Sequence, residues 1–135
     1  MVADTSQPQA ADLPNTVEPD SPLHLALNAI EELKAESIKI LDIAQLTTIA
    51  DHMLICTGRS GRHVKRMGET VIANAKKAGL SPHVEGMEQS EWVLIDLNGV
   101  LVHIMQPTTR AYYQIEKLWD VDIVTPDTEN TAARH

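Results

Sequence analysis

The residue types best suited to chemistry in this sequence are six histidines and a single cysteine. Zinc sites need three or four ligands at short, characteristic spacings. No two histidines stand four residues apart, and no His-Glu-x-x-His motif occurs. Cys56 lies inside the apolar run Met53–Cys56, where a thiol is more typical of inert packing than of a nucleophile. We therefore predict no metal site, no cofactor and no catalytic nucleophile. The histidines are His24, His52, His63, His83, His103 and His135.

A glycine-containing loop, Thr57–Gly61, follows this apolar run. Such loops hold anions at helix N-termini in some proteins, but this one lacks the Lys-Ser/Thr ending of a phosphate-binding P-loop. A tight turn with Ser60 as a helix N-cap is the favoured interpretation. Beside it lies a basic cluster whose spacings of three and four place its members on one helix edge. Such a cluster is usually a solvated face, and a local RNA contact is the alternative. The basic cluster comprises Arg59, Arg62, Lys65 and Arg66.

The length of 135 residues suits one domain, and 43% hydrophobic residues suffice for a core. The net charge of −8 is concentrated at the ends, because residues 1–20 contain four acids and no base, and residues 120–135 contain four acids and one arginine. Residues 21–119, with eleven acids and ten bases, carry only −1. Broad binding to nucleic acid is therefore disfavoured, whereas a basic protein partner is easily accommodated. The sequence contains neither a membrane-length apolar run nor a signal pattern, so we expect a cytoplasmic protein.

Apolar spacing and the helix N-caps Ser21, which precedes Pro22, and Ser60 predict the order α-β-β-α-β-β-β-α within a single domain over residues 21–124. Polar, aperiodic composition predicts a disordered leader over 1–20 and a disordered tail over 125–135. We expect an α/β (α+β) fold, with a two-layer mixed sheet and helices mainly on one face. The predicted helices span Pro22 to about Glu36, Ser60 to Gly79 and Pro107 to about Trp119; the predicted strands span 38–43, 51–57, 83–86, 92–97 and 100–105.

Asn98-Gly99 is a strong signal for a two-residue type I′ hairpin turn. This turn fixes the register, pairing Leu97 with Val100 and Trp92 with Met105, and opposed side chains share a face. One face, the core face, is entirely aliphatic: Val93, Ile95, Leu97, Val100, Val102 and Ile104. The other, the mixed face, combines apolar, acidic and imidazole side chains: Trp92, Leu94, Asp96, Leu101, His103 and Met105.

An apolar patch edged with polar groups is typical of a protein-binding surface. The alternative is that a helix or a second chain covers the mixed face as ordinary core. All aromatic residues lie in the last third of the chain, and tryptophan and tyrosine are common binding hot spots. Tyr112 and Tyr113 point in different directions on the last predicted helix, so we expect one in the core and the other available to a partner.

Together, several motifs resemble those of the ribosomal silencing factor (Iojap-like) family over about residues 22–120. They occur in the family's order and spacing. They are Leu41-Asp42, Leu46 to Asp51, Ile55 to Gly58, Val84-Glu85-Gly86, Glu91 to Asp96, Val102-His103 and Tyr113 to Trp119. One departure is Thr108-Thr109-Arg110, where family members often carry an acid before the arginine.

The resemblance implies a nucleotidyltransferase-like fold without known catalysis. It also implies docking on large ribosomal subunit protein fourteen, which blocks joining of the small subunit when nutrients are scarce. A minor contact with ribosomal RNA and a homodimer of the free protein are further expectations. The implied partner-binding residues, joined with those of the mixed face, are Trp92, Asp96, Leu94, His103, Met105, Glu85, Gly86, Asp51 and Tyr113.

The rival interpretation is an active nucleotidyltransferase. That chemistry needs an Asp-x-Asp or Asp-x-Glu pair on a strand to hold magnesium. Asp96 is followed two residues later by Asn98, and Asp120-Val121-Asp122 comes too late in the chain. We therefore expect a regulator rather than an enzyme.

Overall fold

The computed structural model describes residues 21–119, and the predicted order of elements is confirmed. The predicted leader over 1–20, the tail over 125–135 and the domain end at residue 124 lie outside the described residues. The helices are α1 (Pro22–Glu32), α2 (Gly61–Lys77) and α3 (Pro107–Tyr113), followed by a 3₁₀ helix (Ile115–Leu118). The strands are β1 (Glu36–Asp42), β2 (His52–Thr57), β3 (His83–Glu85), β4 (Trp92–Asp96) and β5 (Val100–Met105).

Both long helices begin at the predicted serine caps. The Ser21 hydroxyl oxygen accepts a hydrogen bond from the His24 N–H at 3.1 Å. The Ser60 hydroxyl oxygen accepts one from the His63 N–H at 3.2 Å. Each cap satisfies a backbone donor that has no partner within the helix.

The first helix ends earlier than predicted, at Glu32 rather than near Glu36. Lys34 adopts a left-handed conformation, with φ of 62°. The Lys34 N–H donates to the Glu31 carbonyl and the Ala35 N–H to the Ile30 carbonyl, which is the Schellman arrangement. Glycine usually fills the left-handed position, as Gly79 does after α2 with φ of 86°. A lysine there gave no sequence signal for the end of the helix.

The five strands form one mixed sheet in the order β1-β2-β5-β4-β3. Only the β2–β5 pair is parallel, and the other three neighbouring pairs are antiparallel. Helices α1 and α2 cover one face of the sheet, as predicted. The main core lies there and contains Leu54 of β2, Val71 of α2 and all six residues of the core face.

The last predicted helix is not continuous. Gln114 adopts a left-handed conformation, with φ of 47° and ψ of 50°, and separates α3 from the 3₁₀ helix. This break directs Ile115 and Trp119 onto a second, smaller core on the opposite side of the sheet, beside Leu41 and Met105. None of the helices within residues 21–119 has the length and apolarity needed to span a membrane.

Candidate functional site: the mixed face and its aromatic patch

The β4–β5 hairpin has the predicted register. Trp92 pairs with Met105, and the Leu97 N–H donates to the Val100 carbonyl at 2.8 Å. Asn98 and Gly99 both have positive φ, at 59° and 106°, as a type I′ turn requires. The division of the hairpin into two faces is therefore confirmed.

Two of the six side chains of the mixed face are buried, so for this part of the face the alternative of ordinary core is the correct one. Met105 is fully buried and His103 is 7% exposed. The cause is the break at Gln114, which brings Ile115 and Trp119 over this part of the sheet. His103 and Met105, both predicted to contact a partner, thus lie beneath the surface of the free chain.

The exposed part of the site is an aromatic patch formed by Trp92, Tyr112 and Tyr113. The ring centroids of Trp92 and Tyr113 lie 5.0 Å apart, and those of Tyr112 and Tyr113 lie 4.9 Å apart in an edge-on arrangement. Tyr113 is 52% exposed and Tyr112 is 80% exposed. The expectation that one tyrosine would be in the core was wrong, because α3 is too short and too peripheral to bury either ring.

The indole of Trp92 is fixed from below by His103. Its Nε1–H donates to the imidazole Nδ1 at 2.9 Å. Because Nδ1 accepts, the ring proton of the neutral imidazole lies on Nε2. Burial lowers the pKa of His103 to about 4, although the nearby Glu116 carboxylate favours the charged form. The imidazole is therefore neutral at pH 7, in the state that accepts the hydrogen bond from Trp92.

Two buried polar atoms close to this bond lack a partner within the described residues. They are Nε2 of His103 and Oε1 of Glu116. A donor and an acceptor left unpaired beneath the aromatic patch lower the stability of the fold, since buried polar groups are normally hydrogen-bonded. They are the buried side-chain atoms without a hydrogen-bond partner among the described residues.

Arg110 connects the aromatic patch to the sheet and was missed as a site residue by the sequence analysis. Its guanidinium donates to the Ser37 carbonyl at 2.6 Å and to the Thr57 hydroxyl at 2.9 Å. It also forms an ion pair with Glu116 at 3.3 Å, and it is only 8% exposed. Arg110 thereby joins α3 and the 3₁₀ helix to the ends of β1 and β2. A buried arginine with partners distant in sequence has no local signal that reveals this role.

Gly86 of the Val-Glu-Gly motif has a structural reason to be glycine. Its φ is 90°, and a Cβ atom at this position would collide with the carbonyl oxygen of Trp92. The preceding Glu85 is exposed and pairs with Leu94, which places its carboxylate on the same side of the sheet as Trp92. Gly86 thus permits the close approach that positions Trp92, while Glu85 adds a negative charge beside it.

Asp96 and Asp51 lie at the turn end of the hairpin, away from the aromatic patch. Asp96 Oδ1 accepts from the Asn98 N–H at 3.0 Å, and the Asp51 N–H donates to the Gly99 carbonyl at 2.8 Å. The four residue-to-residue steps from Trp92 to Asp96 span roughly 13 Å of extended strand. The predicted residues therefore form an elongated surface with an aromatic end and an acidic end.

Packing accounts for Cys56 and for Gly58 of the glycine-containing loop. Cys56 is fully buried, and burial raises the pKa of its thiol to about 12, with a smaller opposing effect of Arg110. Across residues 21–119 there is no group of three or more histidine, cysteine or acidic residues able to hold a metal ion. Gly58 lies in tight contact, since a Cβ there would stand 2.7 Å from Val64 Cγ2.

Comparisons with known proteins place this geometry in a family. A family model described as "Ribosomal silencing factor during starvation" matches residues 16–135. The chain therefore belongs to the ribosomal silencing factor family. It is 42% identical to ribosomal silencing factor RsfS of Halalkalibacterium halodurans over 98 residues, covering 72% of this chain and 84% of the relative. It is 43% identical to the Chromobacterium violaceum factor of the same name over 96 residues, covering 70% of this chain and 79% of the relative.

Two solved structures resemble the fold closely. A crystal structure of a Chromobacterium violaceum protein superimposes with a TM-score of 0.73 at 39% identity, covering 78% of this chain and 89% of that one. A crystal structure from Bacillus halodurans gives a TM-score of 0.67 at 40% identity, covering 72% of this chain and 91% of that one. The α+β fold with a mixed five-stranded sheet is thus shared with these two proteins.

Proposed function

We propose that this chain binds the large ribosomal subunit through its protein fourteen and thereby blocks joining of the small subunit when nutrients are limited. The observation that carries the proposal is the aromatic patch, in which a tryptophan and two tyrosines lie at the surface. His103 accepts a hydrogen bond from the tryptophan, and Arg110 anchors the helix that carries the tyrosines to the sheet. Preorganised aromatic side chains are typical anchors of protein interfaces. Repression would follow from steric obstruction alone, and we infer that it requires no catalysis.

The charges around the patch suit a basic protein partner. Asp96 and Asp51 lie at the turn end of the mixed face and Glu85 lies beside Leu94 in its middle, so the surface next to the aromatic patch carries three acids. Complementary charge accelerates association and rejects partners of the wrong sign. We place this interaction in the cytoplasm, where a basic ribosomal protein exposed on a subunit would meet it.

A relative supports the connection with the large subunit. A mouse protein named "Mitochondrial assembly of ribosomal large subunit protein 1" is 27% identical over 101 residues, although these cover only 44% of its length. We extend the association with the large subunit to this chain, with a role in ribosome biogenesis as well as in translation. A free chain would use the same apolar surface to form a homodimer, which large subunits should dissociate.

Co-sedimentation tests the proposal directly. Purified chain should pellet with isolated large subunits and not with isolated small subunits. Preincubation of large subunits with the chain should reduce the peak of joined ribosomes in a sucrose gradient when small subunits are added. Equal sedimentation with both subunits, or undiminished joining at saturating chain, would contradict the proposal.

The rival function, nucleotidyl transfer, has a separate test. It requires paired carboxylates, but Asp96 Oδ1 caps the hairpin turn and has Asn98 as its neighbour two residues on. We expect no magnesium-dependent turnover of nucleoside triphosphates by the purified chain. Magnesium-dependent turnover that Asp96→Asn abolishes would show that the chain is an enzyme and would contradict the proposed function.

A further inference from the structure

The basic cluster at the start of α2 has almost no partners within the folded domain. All four of its side chains, Arg59, Arg62, Lys65 and Arg66, belong to exposed residues. Arg59 approaches Glu36 at 3.8 Å, but both of these side chains are more than half exposed, at 59% and 52%. An exposed pair at this distance contributes little. Within residues 21–119 no ion pair involves the other three cations, so the cluster's charge is available to a ligand.

The four basic side chains of the cluster do not stabilise the fold. The N-terminus of a helix carries partial positive charge, so bases there oppose the helix dipole. No acid occupies the first turn of α2 to compensate, whereas Lys76 and Lys77 in its last turn have the favourable placement. The buried stripe of α2, which includes Val64 and Met67, lies on the opposite side of the helix. The cluster therefore weakens the helix slightly and adds nothing to its packing.

The cluster lies at the same end of the molecule as the aromatic patch. The Gly58 N–H donates to the Met105 carbonyl at 3.0 Å, and Met105 is the strand partner of Trp92. A Cβ on Gly61 would stand 3.3 Å from the side-chain amide of Gln106, the residue that precedes α3. The loop that carries Arg59 and the start of α2 therefore lie beside the start of α3, at the end of the sheet where the aromatic patch is found.

The backbone that carries the cluster is held in place by His63. Its Nδ1 accepts from the Arg59 N–H at 2.9 Å, and its Nε2 lies 2.7 Å from the Leu33 carbonyl oxygen at the end of α1. His63 thereby joins the loop that carries Arg59 to the end of α1.

We propose that the basic cluster binds the phosphate backbone of ribosomal RNA beside the protein on which the mixed face docks. This inference rests on the proposed function and adds a second partner to it. The two surfaces differ in sign: the mixed face is edged by acids and suits a basic protein, while the cluster suits an anion. On a ribosomal subunit the abundant anion is RNA phosphate, and arginine suits it particularly well.

The overall charge explains why this contact depends on docking. A chain of net charge −8 is repelled by free RNA. Docking through the aromatic patch tethers the cluster next to RNA and raises its effective concentration, so that a few phosphate contacts become favourable. Free RNA should therefore bind the chain far more weakly than the subunit does.

The experiment compares two double variants that remove the same charge from opposite ends of α2. Arg62→Ala/Arg66→Ala removes half of the cluster, and Lys76→Ala/Lys77→Ala is the matched control; all four residues are exposed. The dissociation constant for large subunits is measured as salt is raised, and far-UV circular dichroism checks that both variants are folded. Binding to isolated protein fourteen is measured in parallel.

We expect the cluster variant to bind large subunits about tenfold more weakly at low salt. Its slope of log Kd against log salt should be shallower by about 2, because each of the two arginines would no longer neutralise a phosphate. Its affinity for isolated protein fourteen should equal that of the wild type, and the control should behave as the wild type throughout.

An unchanged slope on subunits would overturn the RNA contact while leaving the proposed function intact. An equal loss of affinity for isolated protein fourteen would show that the cluster contacts protein instead. Failure of the wild type to bind large subunits would overturn both proposals.

Discussion

The two faces of the β4–β5 hairpin differ in how completely the rest of the chain covers them. All six side chains of the core face lie under α1 and α2 in the main core. On the mixed face, Met105 and His103 are covered by the 3₁₀ helix, while Trp92, Leu94 and Asp96 remain partly exposed. One face is thus devoted to stability, and the other combines a small core with a surface.

This difference shows how a small domain presents large aromatic rings without losing their alignment. A freely rotating tryptophan would lose conformational entropy on binding. Trp92 instead has its N–H bonded to buried His103, its ring beside Tyr113, and its backbone against Gly86. The buried part of the mixed face therefore supports the exposed part. Mutations on the two faces should therefore separate stability from binding.

The largest expected effect is on the core face. Ile95 is fully buried, so Ile95→Ala should leave a cavity and lower the free energy of unfolding by about 2–5 kcal/mol. Urea unfolding followed by circular dichroism measures this change. The molecules that remain folded should bind large subunits with the affinity of the wild type. Weaker binding by the folded fraction would contradict the proposal that the core face contributes to stability and not to binding.

The next effect concerns the residue that joins the two regions. Arg110→Met keeps the length and apolar stem of the side chain but leaves Glu116 without its ion-pair partner. Removing one member of a largely buried pair costs about 3 kcal/mol of unfolding free energy. Arg110→Met/Glu116→Gln removes both charges and should recover part of this stability. A double variant no more stable than the single one would show that Ser37 and Thr57, rather than Glu116, are the important partners.

The hairpin and both serine caps were predictable because their signals are local. Asn98-Gly99 fixes the turn, the turn fixes the register, and the register assigns every side chain between Trp92 and Met105 to a face. Ser21-Pro22 and Ser60 likewise carry their capping function within a few residues of sequence. The core face followed from these signals without any knowledge of what packs against it.

The position of the 3₁₀ helix over the mixed face was not predictable from the sequence. It depends on the backbone conformation of one residue and on hydrogen bonds between residues far apart in the chain. Gln114 is an unusual residue for a left-handed conformation, and a regular helix through Trp119 was the natural expectation. Arg110 reaches Thr57, 53 positions earlier in the chain, and Ser37, 73 positions earlier. No periodicity in the sequence reports such bonds, so the half-buried state of the mixed face emerged only from the structure.

The pH dependence of stability tests the buried half of the mixed face. The pKa of His103 is lowered from 6.5 to about 4 in the folded chain, so between these values the unfolded chain binds a proton that the folded chain does not. The free energy of unfolding should therefore fall as pH drops from about 6.5 to 4, by up to about 3 kcal/mol. Urea titrations over this range measure the slope, and His103→Asn, which keeps a side-chain acceptor, should reduce it. Identical slopes for both proteins would mean that His103 is not the group responsible.

The exposed half is tested at Trp92. Trp92→Ala should remove the central anchor and weaken binding to large subunits by at least ~2 kcal/mol, or about thirtyfold. Trp119→Ala is the matched control, since Trp119 packs against the same small core but lies outside the hairpin. It should lower stability with a smaller effect on the affinity of the folded chain. If Trp92→Ala unfolds the domain while its folded fraction binds normally, the aromatic patch is core rather than interface.

The smallest effect is expected at the acidic end of the same surface. Asp96→Asn keeps an oxygen that accepts from the Asn98 N–H, so the turn should persist and stability should change little. Only the charge is removed, and an edge charge mainly affects the association rate and its salt dependence. We expect slower association at low salt, with a loss of up to about 1 kcal/mol in binding that disappears as salt is raised. Stopped-flow measurements with large subunits at two salt concentrations check this, and Glu31→Gln, on the exposed surface of α1, is the control for a change of one charge elsewhere. If both variants slow association equally, Asp96 acts only through the net charge of the chain. If Asp96→Asn alone slows association, the acidic end of the mixed face is part of the interface.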